Sequence, residues 1–234
     1  MRWFRYSDKE GAGVSKDEPE KKGFALFFHI VKENIFALVL LNIFFVLCCV
    51  PVVTIGPAFK ALDKVTMNLV RNEPTSLVRD FFDEFKNDFL KSMLIGLVFM
   101  VLLALVAAAF ILLPIGQSET GIYVTSGIAL IVFLFIMAVA TYIFKSLGTI
   151  DLPIVTSVKN ALLLTLVSIK ELVLMFVLTI VPSFLIANII YVGVPLFLLW
   201  MFAYNSLVTS LISWNVIKKY TVLTDEGTGE EVEG

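Results

Sequence analysis

The sequence is poor in charge, in cysteine and in histidine. Only 16% of its 234 residues are charged, against about 25% in an ordinary globular chain, and residues 172 to 217 carry no charge at all. That pattern excludes a water-soluble fold. The two cysteines, Cys48 and Cys49, are adjacent within an apolar run, where a disulfide between neighbours would be strained. They read as small apolar packing residues. One histidine, His29, and no spaced set of Cys, His and carboxylates leave zinc or iron without ligands, so neither a metal nor a cofactor is expected. His29 itself reads as a structural or snorkelling side chain. A glycine-rich phosphate loop, a Ser-His-Asp set and paired intramembrane aspartates are also missing, so enzymatic activity is not expected. The net charge of −2 owes part of its sign to Asp225, Glu226, Glu230, Glu231 and Glu233. No basic surface suggests nucleic acid as a partner.

What the sequence has in abundance is apolar length. Hydrophobic residues make up 59% of the chain, and the mean hydropathy is +0.92. Residues 1–23 form a polar tail with no signal-peptide pattern, residues 24–218 a single membrane domain, and residues 219–234 an acidic tail. Phe24, Phe27 and Phe28 suit an interfacial helical turn before the bilayer. Spans are expected near 35–55, 92–113, 122–144, 172–190 and 194–217, because each long uncharged stretch exceeds one bilayer crossing of about 20 residues. Pro114, Gly116 and Gly121 mark one turn; Asn188, Gly193 and Pro195 mark another. The fold class is therefore all-α, a polytopic helix bundle of about five segments in contact with the lipid bilayer.

Between the first and second spans, residues 57–91 are amphipathic. Ala58, Leu62, Val65 and Leu69 share one face, and Asn72-Glu73-Pro74 forces a turn into a second helix with an aromatic stripe of Phe81, Phe85 and Phe89. This cytoplasmic hairpin is expected to lie along the membrane surface or to pack beneath the bundle, with Lys60, Lys64, Arg71, Arg79 and Asp83 available to a partner. Lysine and arginine counts put the 57–91 and 145–170 connections inside and the 114–121 and 188–195 connections outside. The seven basic residues before residue 35 conflict with a first segment that crosses fully. A full crossing is adopted, with a re-entrant turn at Pro51 as the alternative. No charged residue is expected deep in the later spans, which leaves a proton relay without its residues.

Two further features invite function. Pro51, Gly56 and Pro57 mark a helix break: either a broken element lining a cavity, or a sharp exit from the bilayer. Asn205, Thr209 and Ser213 lie on one stripe of the last span, with Ser206 and Ser210 beside it and Asn42 and Asn188 as candidate partners. Such a stripe either lines a polar path or seams two helices together.

Several stretches resemble the YesL family of bacterial integral-membrane proteins of unknown function. They are Leu41-Asn42, the run Val50-Pro51-Val52-Val53-Thr54-Ile55-Gly56-Pro57-Ala58, Arg79-Asp80-Phe81-Phe82 with Phe85-Lys86, and Ala203-Tyr204-Asn205-Ser206. The resemblance implies a multi-pass protein of the bacterial cell membrane and an accessory or regulatory role beside carbohydrate ABC import, with transporter subunits as partners. It supplies no catalytic or binding residues. The alternative function is a stand-alone small-solute transporter or channel, acting as monomer or homo-oligomer.

Overall fold

The computed structural model describes residues 23–113, 118–149, 153–188 and 200–228. The two tails, except for residue 23 and residues 219–228, therefore lie outside the described residues, as do the expected turn markers Pro114, Gly116, Gly193 and Pro195. The described chain is all-helical: α1 (Phe24–Cys49), a 3-10 turn (Val52–Thr54), α2 (Ile55–Val70), α3 (Leu77–Lys86), α4 (Phe89–Leu112), α5 (Glu119–Thr149), α6 (Ile154–Val167), α7 (Ile169–Ala187) and α8 (Phe202–Thr228). No strand occurs among the described residues. Four helices, α1, α4, α5 and α7, are long and apolar enough to cross a membrane. The expected fifth span begins outside the described residues at 194–199, and its remainder opens α8, which carries Lys218 and Lys219 further on.

Local chemistry explains several boundaries. Asn34 departs from helical geometry (φ −119°, ψ 20°) and its amide donates to Ile30 O at 3.1 Å, so α1 is two helical stretches meeting at a kink. The interfacial turn expected over 24–34 is thus the first part of α1. Pro51 stops α1, and Thr54 Oγ1 donates back to carbonyls of the turn at Cys48 and Pro51, which satisfies backbone that neither helix can. Pro57 sits in the first turn of α2, where a missing N–H costs nothing. Asp88, left-handed at φ 48°, swings the chain from α3 into α4.

The expected helix pair forms, but α2 does not lie on a surface. It is the hub of the bundle, packed against α1, α3, α4, α5 and α8, and twelve of its sixteen residues are buried. Its apolar face joins a core with Leu38, Leu41 and Phe45 of α1, Phe81 of α3 and Leu207 of α8. Phe59 links this core to the one around α5, with its ring 4.9 Å from Phe45 and 6.1 Å from Phe144. Most of the polar face is buried too: Lys60 and Asp63 find charged partners inside, while Lys64 is half-buried. Gly56 of α2 meets Gly96 of α4 so closely that a Cβ on Gly56 would lie 2.2 Å from Ser92 O and 3.0 Å from Gly96 Cα. Small residues at a helix crossing allow this approach.

That crossing sets the depth of the α1–α2 turn. α2 runs antiparallel to α4, since Gly56 faces Gly96 and Lys60 reaches Asn87 just before α4 begins. From Gly96 to Leu112, sixteen residues of α4 continue past the turn, about 24 Å at 1.5 Å per residue. The turn itself exposes Leu47, Val50, Val52 and Val53, side chains suited to hydrocarbon. The geometry predicts that residues 35–70 enter and leave on one face, which would remove the conflict over the basic residues before residue 35. Single cysteines at Glu33, Ser76 and Ser118, in a background lacking Cys48 and Cys49, test this with an impermeant thiol reagent. Residues 33 and 76 should react from one side and 118 from the other; reaction of 33 together with 118 would restore the full crossing.

Candidate functional site

The centre of the bundle holds a charged cluster built by three helices. Lys145 of α5 places Nζ 2.9 Å from Asp63 Oδ1 of α2 and 2.8 Å from Ser210 Oγ of α8. Ser206 Oγ donates to the same Asp63 oxygen at 2.6 Å, and Thr66 Oγ1 lies 2.7 Å from Ser206 Oγ and 3.0 Å from Ser210 Oγ. All five side chains are buried. A buried ion pair survives only when geometry and further hydrogen bonds offset the loss of hydration, and here the hydroxyls of α8 and Thr66 supply those bonds. A second pair, between a buried lysine and a half-buried carboxylate, holds α3 to α2: Lys60 Nζ contacts Glu84 Oε1 at 2.6 Å and donates to Asn87 O at 3.0 Å.

These contacts correct two expectations. Lys60 is only 1% exposed, so it belongs to the interior and not to a wet face. Lys145 was expected in a connection after a span ending at 144, with no charge deep in the bundle. Instead α5 runs on to Thr149, which carries Lys145 into the buried cluster. Of the remaining charged candidates, Lys64 is half-buried, Arg71 pairs with Glu73 at 2.7 Å and lies over the Trp214 ring at 5.0 Å, and Arg79 and Asp83 form an exposed pair at 3.5 Å.

A cavity of about 610 Å³ adjoins the cluster, walled by α2, α4, α5, α7 and α8. Phe59, Phe99, Met137, Phe144 and Phe176 make most of its surface apolar; Asp63, Ser206, Asn205, Thr209 and Ser183 give it one polar region. Asn205 Nδ2 reaches Ser183 Oγ at 3.5 Å, while its buried Oδ1 has no partner.

The polar stripe is therefore divided. Asn205 and Thr209 line the cavity, whereas Ser213 is buried and donates to Thr209 O at 2.6 Å. Asn42 is a structural clamp: its Oδ1 accepts the Ala203 N–H at 2.8 Å, satisfying a donor in the first turn of α8 that the helix leaves unpaired. Asn188 is exposed at the end of α7 and bonds to Phe184 O. The helix break serves a hairpin and a close crossing, with Ile55 the residue of this stretch that touches the cavity. Sequence reading missed Asp63, Thr66 and Lys145 as a cluster. The available signal was a helix with two polar sides in a chain otherwise too apolar to leave them in water.

The helical fold and its membrane-length apolar helices define the class: a polytopic helical membrane protein. Within it, residues 38–110 match the family model described as "Protein of unknown function, DUF624". The match covers the later part of α1, all of α2 and α3 and most of α4, the stretch that contains the hub and Asp63. No curated protein and no solved structure matches the chain.

A double-mutant cycle tests the pair. Lys145→Met alone strands the Asp63 carboxylate in the interior and should cost about 3–5 kcal/mol, read as a fall in detergent melting temperature. The double variant Asp63→Leu/Lys145→Met should be markedly more stable than Lys145→Met; costs that simply add would show the two groups uncoupled.

Proposed function

We propose that the protein is a self-contained carrier or receptor of the bacterial cell membrane that holds a small molecule in the cavity among α2, α4, α5, α7 and α8. One observation carries this reading. The cavity, about 610 Å³ and thus within the range of about 300–1,000 Å³ usual for ligand sites, has Asn205 in its wall with a buried oxygen that no protein group satisfies. An orphaned buried acceptor costs about 1–3 kcal/mol, and a turn of the Asn205 amide toward a donor bound in the cavity would remove that cost. The mostly apolar wall with a few convergent polar groups is the usual make-up of such a site.

A second reading, an accessory subunit beside carbohydrate ABC import, draws support from the YesL resemblance and from the outer face of α3. There the side chains of Arg79 and Asp83 are 81% and 68% exposed, open to a partner. Lys60 contributes nothing to such a surface, so reversing its charge would test folding, whereas reversing Arg79 would test docking.

Purification from the native cells in mild detergent, followed by native mass spectrometry, separates the two. The carrier reading expects one small molecule retained per chain and lost from Asn205→Leu, with the variant still eluting as the folded species. An empty cavity with transporter subunits bound in stoichiometric amount, displaced by Arg79→Glu, would contradict it in favour of the accessory role.

A further inference from the structure

We infer that the molecule held in the cavity is an uncharged, hydroxyl-bearing amphiphile that reaches it sideways from the bilayer. The inference rests on the cavity reading above and adds the ligand's chemical class and its route.

The head group follows from which hydrogen-bonding roles the polar region leaves open. The hydroxyls of Thr141, Thr179, Ser183 and Thr209 donate to carbonyls of their own helices, at Met137, Met175, Thr179 and Asn205. Ser206 gives its proton to Asp63. Each of these oxygens can still accept but has no proton left to give. Asp63 accepts, and Asn205 Oδ1 is an acceptor without a partner. The donor capacity left is that of the Asn205 amide nitrogen, which reaches Ser183 Oγ at 3.5 Å with one of its two protons; acceptors outnumber it, so the site asks chiefly for a donor, and a phosphate, sulfonate or carboxylate would meet acceptors on most sides. An ammonium is a donor, but Lys145 at 2.9 Å already neutralises Asp63, so a second cation would be buried without a counter-charge. A hydroxyl satisfies both conditions.

The tail and the route follow from the wall. Beyond the polar region the lining is aliphatic, aromatic and thioether, which offers nothing to the many hydroxyls of a free sugar and suits a hydrocarbon chain. Phe133 of α5 and Ile180 and Phe184 of α7 line the cavity and are also 37%, 47% and 67% exposed. They belong to two helices long and apolar enough to cross the membrane. The cavity thus communicates with the bilayer between α5 and α7.

The full chain in phosphatidylcholine liposomes can be photolabelled with a long-chain alcohol bearing a diazirine in its tail, and in parallel with the alkyl sulfonate and primary alkylamine of the same chain. Peptide mapping should place alcohol adducts in 133–144 and 175–184. The charged probes should label those segments about three- to tenfold less, the range that one hydrogen bond confers. Asn205→Leu should reduce alcohol labelling to the level of the sulfonate. Equal labelling of these segments by all three probes would overturn the head-group inference and leave a cavity ligand standing. Labelling by none of them would overturn the inference and the cavity reading together.

Discussion

Asp63 and Lys145 meet 2.9 Å apart in the interior of a bundle made mostly of hydrocarbon, and the arrangement of the helices around them follows from keeping that pair together. Lys145 is fully enclosed and Asp63 nearly so, so each must be satisfied chiefly by protein atoms arriving from a fixed direction. Asp63 requires α2 to sit between α5, which brings the lysine, and α8, which brings Ser206 and Ser210. Once α2 is committed to the centre, its buried lysine, Lys60, must also be matched, whereas Lys64 stays half-buried. Glu84 and the Asn87 carbonyl do this by folding α3 back over it. The close crossing of Gly56 on Gly96 then becomes possible on the remaining side.

The same commitment shapes the cavity. α7 packs chiefly on α8, and its early residues Leu172 and Met175 join the core around Tyr142 of α5. Farther along, Phe176, Ile180 and Phe184 stand across a gap from α4 and α5. The polar region of that gap is the exposed side of the cluster, with one face of Asp63 and Ser206 turned to the cavity and the other closed by Lys145. Structure and candidate site therefore share residues: the groups that hold three helices together also determine which chemistry the cavity will accept.

Much of the fold was legible in the sequence. Charge-free stretches located the membrane helices, Asn72-Glu73-Pro74 located the α2–α3 turn, and Pro51 marked the end of α1. What failed was the placement of α2. An amphipathic period says only that a helix has two unlike faces; it does not say whether the polar face meets water or buried partners. Lys60, Asp63 and Lys64 carry the same pattern in either case, and the partners that decide it, Glu84, Lys145 and Ser206, lie up to 143 residues away. Lys145 was hidden for a related reason. A charge at the end of an apolar run reads as the membrane boundary, yet α5 continues four residues beyond it, to Thr149. Of the polar stripe, Asn205 and Thr209 were located from spacing alone, while Ser206 and Ser210, noted only as neighbours, carry the charged cluster. Helical spacing groups residues on a face; it does not identify which of them faces a charge on another helix.

The central claim is that α2 is the buried hub, held there by its charges. Hydrogen–deuterium exchange of the full chain in lipid nanodiscs measures this directly, because amides in the most stable unit of a fold open last. Amides of residues 58–67 should exchange as slowly as those of the apolar helix α4, and Lys145→Met should accelerate exchange in 58–67 and 204–212 together. Fast exchange of 58–67 in the unaltered protein, at the rate of exposed α3, would mean that α2 lies at the surface and would contradict the account.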